Sequence, residues 1–250
     1  MLTLERHKEI LDILNRKNAV TVSELAKALN TSESTVRRDL NTLDKQKKLN
    51  KVFGGATAIR QMAGAAENKV SYRENINTAE KEAIARYAAS LIHDDDFVFI
   101  DAGTTTSKLV DFITNDKATY VTNGIEHGLK LLRKGFNAYL IGGRIKPVTE
   151  SVVGAEGVKN LSGFNFTKAF LGTNGIDIKA GFTTPDLEEA RIKQTAIEKS
   201  YVSFVLADSS KFRITTPITF GSLSSCCIIT DKKIPGEWSD YTAIKIVNNG

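Results

Sequence analysis

Two stretches hold the residue types best suited to chemistry. Ser34-Thr-Val-Arg-Arg-Asp-Leu40 places Ser34, Thr35, Arg37 and Arg38 around apolar Val36 and Leu40. Hydroxyls and guanidinium forks at that spacing bond DNA phosphates and base edges. Asp101-Ala-Gly-Thr-Thr-Thr106 follows an apolar run and opens a helical pattern. Gly103 permits close backbone approach there. The free amides of a helix start, with the hydroxyls of Thr104, Thr105 and Thr106, make a cradle for a phosphate. A capped strand-to-helix turn would use the same residues with no ligand.

Similar polar material ends four other apolar runs: Thr122-Asn123-Gly124, Gly142-Gly143-Arg144, Gly172-Thr-Asn174-Gly175 and Asp208-Ser-Ser-Lys211. Arg144 and Lys211 are cationic partners for a phosphate or solvated loop residues. Asp101 and Asp208 are acceptors for sugar hydroxyls. Pro185 and Asp186 suit a helix entry, with Glu188 and Glu189 capping its first turn; Asp186 serves either as cap or as site residue.

The elements that must position these groups are legible in periodicity. A helix over about Leu4–Arg16 turns Ile10, Leu11 and Leu14 inward. Ser23 is the expected cap of a second helix, whose apolar face is Leu25, Ala26 and Leu29. Asn30-Thr31-Ser32 breaks it, and Val36, Leu40 and Leu43 share one face of a third, leaving Ser34, Thr35, Arg37 and Arg38 outward. A basic hairpin with Lys47, Lys48 and Lys51 follows, turning on Gly54-Gly55 and able to pair with the extended piece around Val20–Val22. This is the pattern of a winged helix-turn-helix that binds DNA. From Thr78 the pattern changes. A helix over 78–92 starts with an Asn77/Glu80 capping box. Strands at Phe97–Asp101, Thr119–Thr122, Tyr139–Ile141, Lys168–Gly172, Val202–Ala207, 226–230 and 243–247 are separated by helical stretches, one of them at 187–199. Such alternation predicts an α/β domain, a parallel sheet covered on both faces with ligands bound beyond the strands' carboxyl ends. The expected division is a DNA-binding domain over 1–57, a linker over 58–72 and an effector domain over 73–250.

Charge agrees. The first 60 residues hold 12 Lys/Arg and 7 Asp/Glu, a net of +5 that equals the charge of the whole 250-residue chain. The rest is neutral, so a polyanion is steered to one end. Adjacent Cys226 and Cys227 sit in an apolar run, where neighbours in a strand face opposite ways, and are read as buried small hydrophobes. His7, His93 and His127 are scattered, so no metal site or cofactor is expected. The charged N-terminus is not a secretory signal, and no apolar run approaches a membrane span. A reducing bacterial cytoplasm is the expected location.

With these residues in view, the chain resembles the DeoR family of bacterial sugar-operon repressors. The resemblance lies in Glu24-Leu-Ala26, Ser34–Leu40, Gly54-Gly-Ala56, Asp101-x-Gly-Thr-Thr105, Thr122-Asn123, Gly142-Gly143, Asn174-Gly-Ile176 and Asp208-Ser-Ser-Lys-Phe212. It implies DNA contacts from Ser34, Thr35, Arg37, Arg38, Lys51, Gly54 and Gly55. It implies a phosphorylated-sugar effector held by Asp101, Gly103, Thr104, Thr105, Thr106, Thr122, Asn123, Gly143, Arg144, Asn174, Asp208 and Lys211, in a ligand-released repressor working as a homodimer or homotetramer. Lys47, Phe53 and Asn18 depart from the family's usual Gly, His and turn glycine. The second half is also similar to the Rossmann-like sugar-phosphate isomerase superfamily that includes ribose-5-phosphate isomerase, so an isomerase with an attached DNA-binding domain is the alternative. Against turnover, Asn174-Gly175 stands where those enzymes carry acids, and the reading is a non-enzyme. The Thr-Thr-Pro-Asp186 segment resembles fructose-operon repressors, which implies fructose 1-phosphate as effector.

Overall fold

The computed structural model describes residues 2–17, 19–58, 61–62, 70–234 and 238–247. Asn18 therefore lies outside the described residues, as does much of the 58–72 stretch. The chain divides into two compact units, Met1–Gln61 and Met62–Gly250.

The first unit runs α1 (Thr3–Lys17), β1 (Ala19–Thr21), α2 (Val22–Ala28), α3 (Glu33–Lys45), β2 (Asn50–Val52) and β3 (Gly55–Thr57). Ile10, Leu14, Leu25, Val36, Leu40, Leu43 and Leu49 are buried together as its core. Each such side chain contributes about 1.5–3 kcal/mol by leaving water. The cap of α2 is Thr21, not Ser23. Its hydroxyl accepts from the Glu24 N–H at 3.1 Å, while the Glu24 carboxylate accepts from the Thr21 N–H at 2.8 Å. The shift arises because β1 stays paired with β3 through Thr21↔Gly55, so the helix starts where the strand stops. Ser32 caps α3, accepting from the Thr35 N–H at 3.2 Å. Between α1 and α3, buried Asp39 accepts from Arg6 at 3.0 Å and lies 3.1 Å from His7 Nε2. Burial works against its ionisation, but the hydrogen bonds from Arg6 and His7 outweigh this and hold the carboxyl below its ordinary range.

The wing corrects one expectation. Val52 pairs with Gly55, so the two-residue turn is Phe53-Gly54 and not Gly54-Gly55. Gly54 takes the left-handed step at φ +81°. Gly55 lies in β3 beneath β1, where an added Cβ would stand 2.2 Å from the Val20 carbonyl oxygen.

β4 (Gln61–Met62) falls at the division, and α4 (Val70–Glu74) follows in the second unit, so helix begins inside the stretch expected as linker. α5 (Thr78–Ala89) stops short of residue 92. The main sheet has seven strands in the order β17-β16-β13-β10-β5-β6-β7. These are Ile244–Ile246, Cys227–Thr230, Ser200–Leu206, Phe166–Gly172, Phe97–Ile100, Thr119–Thr122 and Ala138–Leu140, all paired in parallel. Alternate residues face opposite sides. Val98, Ile100, Tyr120, Phe170 and Leu206 pack with α5 and α6 (Thr104–Phe112). Phe99, Val121, Leu171 and Val205 pack with α8 (Ala155–Ser162) and α9 (Leu187–Glu198). Burial on both faces is why these strands read as continuous apolar runs. α7 (Ile125–Arg133) links β6 to β7.

Two small antiparallel sheets had no counterpart in the sequence pattern: β8 (Arg144–Lys146) with β9 (Ser151–Val153), and β11 (Gly175–Asp177) with β12 (Gly181–Thr184) and β15 (Ile218–Gly221). Their strands are three or four residues long, too short for a period of two to register. No described helix is long and apolar enough to cross a membrane.

Gly55→Ala should destabilise the first unit by about 1–3 kcal/mol, because backbone rather than a flexible side chain must yield. Denaturant unfolding of the variant checks this; an unchanged midpoint would mean that β1 and β3 are not so close.

Candidate functional site

In the first unit α3 offers one continuous polar face. Ser34, Arg37 and Arg38 are exposed and Thr35 is half-buried, while Val36, Leu40 and Leu43 fill the core. Arg37 is held by Glu33 at 2.9 Å, one turn earlier. Arg38 has no ion pair among the described residues, so it meets an incoming phosphate or base edge without first giving up a carboxylate. Lys51 is exposed, and its N–H donates to Asp44 Oδ1 at 2.9 Å, tying the wing to the end of α3.

In the second unit a cavity of about 250 Å³ opens at the carboxyl ends of three adjacent strands, β13, β10 and β5. Gly103, Thr104 and Thr105 line it from the start of α6, Asn174 from beyond β10, and Asp208 and Lys211 from beyond β13. Gly103 has no side chain with which to cap α6, so that helix presents its positive end uncapped. Asp208 is buried and accepts from the Ser210 N–H at 3.0 Å and from Asn77 Nδ2 at 3.0 Å. Asn77 thus replaces the expected capping box. It sits in left-handed backbone at φ +52° and turns its side chain to Asp208, not to the helix.

Two cavity residues, Lys81 and Lys193, have no place among the sequence expectations, and a third, Glu189, lines the cavity instead of capping α9. Lys81 is buried on α5 and donates to the Arg73 carbonyl. Burial holds its ammonium below the usual lysine range, with Asp208 pulling the other way and Lys211 and Arg73 adding to the depression. Lys193, buried on α9, donates to Asp101 Oδ2 and to the Gly172 carbonyl at 3.1 Å. Glu189 faces inward and accepts from Thr149 Oγ1 at 2.7 Å and Lys146 at 2.9 Å, leaving Asp186 to cap α9. A signal existed. Lys81 is in helical phase with buried Ile84, Ala85 and Ala88, and Lys193 with Ala190 and Ala196. A lysine on an apolar stripe must find a buried partner.

Six expected effector residues do not line the cavity. The sheet order explains four, since β6 and β7 lie on the far side of β5 from β10. Thr122 Oγ1 donates to the Ile100 carbonyl at 2.7 Å, and Asn123 Oδ1 accepts from the Ala102 N–H at 2.8 Å, so both brace the loop from behind. Gly143 is exposed at φ +146°, and exposed Arg144 pairs with Glu188. The fifth, Thr106, points inward. Its hydroxyl donates to the Gly103 carbonyl at 2.9 Å and lies 3.1 Å from His127 Nε2, which therefore carries the proton. The sixth, Asp101, is buried and committed to cavity-lining Lys193 and to the Gly172 N–H at 3.0 Å. Its burial pushes the carboxyl up while Lys193 pulls it down. The described residues hold no cluster able to take a metal ion; Cys226 is buried, with its thiol pushed up to about 12 by burial.

The model of the DeoR-like helix-turn-helix domain matches residues 6–62, and that of the DeoR C terminal sensor domain matches residues 76–232. The chain belongs to the DeoR family. This DeoR-family chain is 39% identical over 251 residues to an HTH-type transcriptional regulator of Bacillus subtilis (strain 168) named FruR, covering 99% of each. It is 35% identical over 212 residues to a lactose phosphotransferase system repressor of Staphylococcus aureus (strain N315), covering 83% of each. Among solved structures, ribose 5-phosphate isomerase A of Methanocaldococcus jannaschii aligns over 53% of each chain with 13% identity and a TM-score of 0.40. The DeoR assignment makes the first unit a DNA-binding helix-turn-helix of a transcription regulator and the second a sensor.

In this sensor, Lys193→Met should cost about 3–5 kcal/mol by leaving Asp101 charged and alone. The double variant Lys193→Met/Asp101→Asn should recover most of it in denaturant unfolding; a double variant no better than the single would mean the pair is not coupled. Burial, aided by Lys130, pushes His127 down to about 4, whereas an unfolded chain holds it near ~6.5. The unfolded state binds the extra proton between those values, so stability falls as pH drops through that window, by roughly 2–3 kcal/mol at about pH 4.5. His127→Gln keeps an N–H for Thr106 and should flatten that part of the stability–pH curve; an unchanged slope would remove His127 as its source.

Proposed function

We propose that this protein represses a sugar-utilisation operon and leaves its operator when a phosphorylated sugar fills the strand-end cavity. The observation that carries this reading is the meeting, in one cavity, of the uncapped start of α6 with Lys81 and Lys211. An oxyanion there gains backbone N–H donors and two ammonium groups, neither of which is tied to a carboxylate among the described residues. Asp208 and Asn174 are placed for sugar hydroxyls. The name of one relative, a lactose phosphotransferase system repressor, supports a sugar operon, and fructose 1-phosphate is the preferred effector.

Release follows from linkage. The effector must bind the DNA-incompetent arrangement more tightly, and operator DNA must weaken effector binding by the same factor. A homodimer or homotetramer suits a helix-turn-helix reading two half-sites, and the bacterial cytoplasm is where such a regulator works. Turnover is not part of the reading. Isomerisation needs a carboxylate available as base. Asp101 is bonded to Lys193, Asp208 to Ser210 and Asn77, and Glu189 to Thr149 and Lys146.

A thermal-shift screen of the full chain against sugar phosphates and their unphosphorylated parents tests the sensor. One phosphate should raise Tm with concentration as mass action requires, and silence across the panel would remove sugar phosphates as effectors. Thr105→Glu should abolish that shift while operator binding persists. Arg38→Ala should weaken operator binding by about 1–3 kcal/mol if it reads a base; affinity equal to the parent's on every sequence would end that role.

A further inference from the structure

The wing ends in an apolar tip that the fold itself does not use. Phe53 is 108% exposed, free of packing contacts, and its neighbour Val52 is 46% exposed. Scattered exposed apolar side chains are ordinary; the placement of this one is not. The turn is anchored at three points. The Gly54 carbonyl accepts from the Val22 N–H at 2.9 Å at the start of α2. The Lys51 N–H is bonded to Asp44 near the end of α3. Gly55 is pressed against the β1 backbone. Phe53 itself keeps ordinary backbone while Gly54 takes the positive φ, so the sharp step falls on the glycine and the ring stands at the apex. The tip is therefore tied to α3, and the hairpin that carries it is basic, with exposed Lys51 in β2 and exposed Lys47 and Lys48 just before that strand.

An exposed aromatic ring at the tip of a basic hairpin, in the unit that carries all of the chain's net positive charge, fits a partner that is a polyanion outside and apolar in a narrow slot. Duplex DNA has that character, since opening a base step exposes stacking faces between two phosphate rails. A protein partner would offer an apolar recess but no reason for the lysines of the hairpin. We propose that Phe53 is a wedge entering the minor groove beside the site faced by α3, opening a base step there. Part of the operator's identity is then read as deformability, with TA and CA/TG steps favoured at positions that α3 does not touch. The inference rests on α3 lying on DNA, and its test separates the two.

The test uses the full chain and a duplex that it selects from random sequence. Phe53→Ala should bind about 10–100-fold more weakly and lose the bend seen by end-to-end energy transfer. Its salt slope should stay unchanged because no phosphate contact is lost, whereas Lys51→Ala should lower that slope by about 1. Phe53→Leu, still an apolar wedge, should keep most of the affinity and bend. Replacing the flexible step by an A-tract should weaken the parent but not Phe53→Ala further. Phe53 faces solvent, so the variant's Tm should equal the parent's. The wedge is overturned if Phe53→Ala binds and bends DNA as the parent does, if its salt slope changes, or if the A-tract penalises both proteins equally. Failure of the underlying reading looks different: no duplex is selected, or Arg38→Ala binds the selected one unimpaired.

Discussion

The reversal of winding between β5 and β10 is the constraint on which the sensor depends. From β5 the chain proceeds through β6 to β7 in one direction; from β10 it proceeds through β13 to β16 and β17 in the other. Parallel crossovers are right-handed, so opposite directions of travel send the connecting helices to opposite faces of the sheet. α6 accordingly packs on one face and α9 on the other. The loops after β5 and β10 part company, and the crevice between them is the cavity. Its contents follow from that geometry, with α6 bringing an uncapped helix start from one side and α9 bringing Lys193 from the other.

Electrostatics then divides the cavity into a floor that is neutralised and walls that are not. Asp101 and Lys193 satisfy one another out of water, an arrangement costly to interrupt because the surviving charge would be stranded. Among the described residues Lys81 has a backbone carbonyl and the nearby charges of Asp208 and Glu74 to offset its burial, and no ion pair. A bound oxyanion would supply the missing counter-charge. The loop bearing Thr104 and Thr105 is meanwhile stiffened from behind by Asn123 on the Ala102 N–H and by the His127–Thr106–Gly103 chain. Residues that lie outside the cavity therefore still govern it, as braces for the loop.

The DNA-binding unit is built on a different economy. Its working groups lie on one helix and one turn, each close in sequence to the core residues that orient them. Val36, Leu40 and Leu43 decide which way Arg38 points, and Ser32 decides where the helix begins. The wing is the exception, since its pose depends on pairing across the unit: β3 pairs with β1 on one side and β2 on the other, and position 55 has room only for glycine because β1 passes so close.

What the sequence by itself determined is whatever depends on local period and local charge. That includes the three helices and basic hairpin of the first unit, the outward set Ser34, Arg37 and Arg38, the apolar strands buried on both faces, and Gly103 to Thr105 at a helix start. Lys81 and Lys193 went unread there, although each is a charge on an apolar helical stripe, because nothing local names a partner. Only the tertiary structure decided which strand ends meet. The motifs at Thr122-Asn123 and Gly143-Arg144 look as suitable as those at Asn174 and Asp208, and no periodicity separates them. The order of strands in the sheet does, because the cavity opens where the winding reverses between β5 and β10, and β6 and β7 lie on the far side of β5 from it. The same holds for the wing, where a one-residue difference in strand register moved the turn from Gly54-Gly55 to Phe53-Gly54 and set an aromatic ring at its tip.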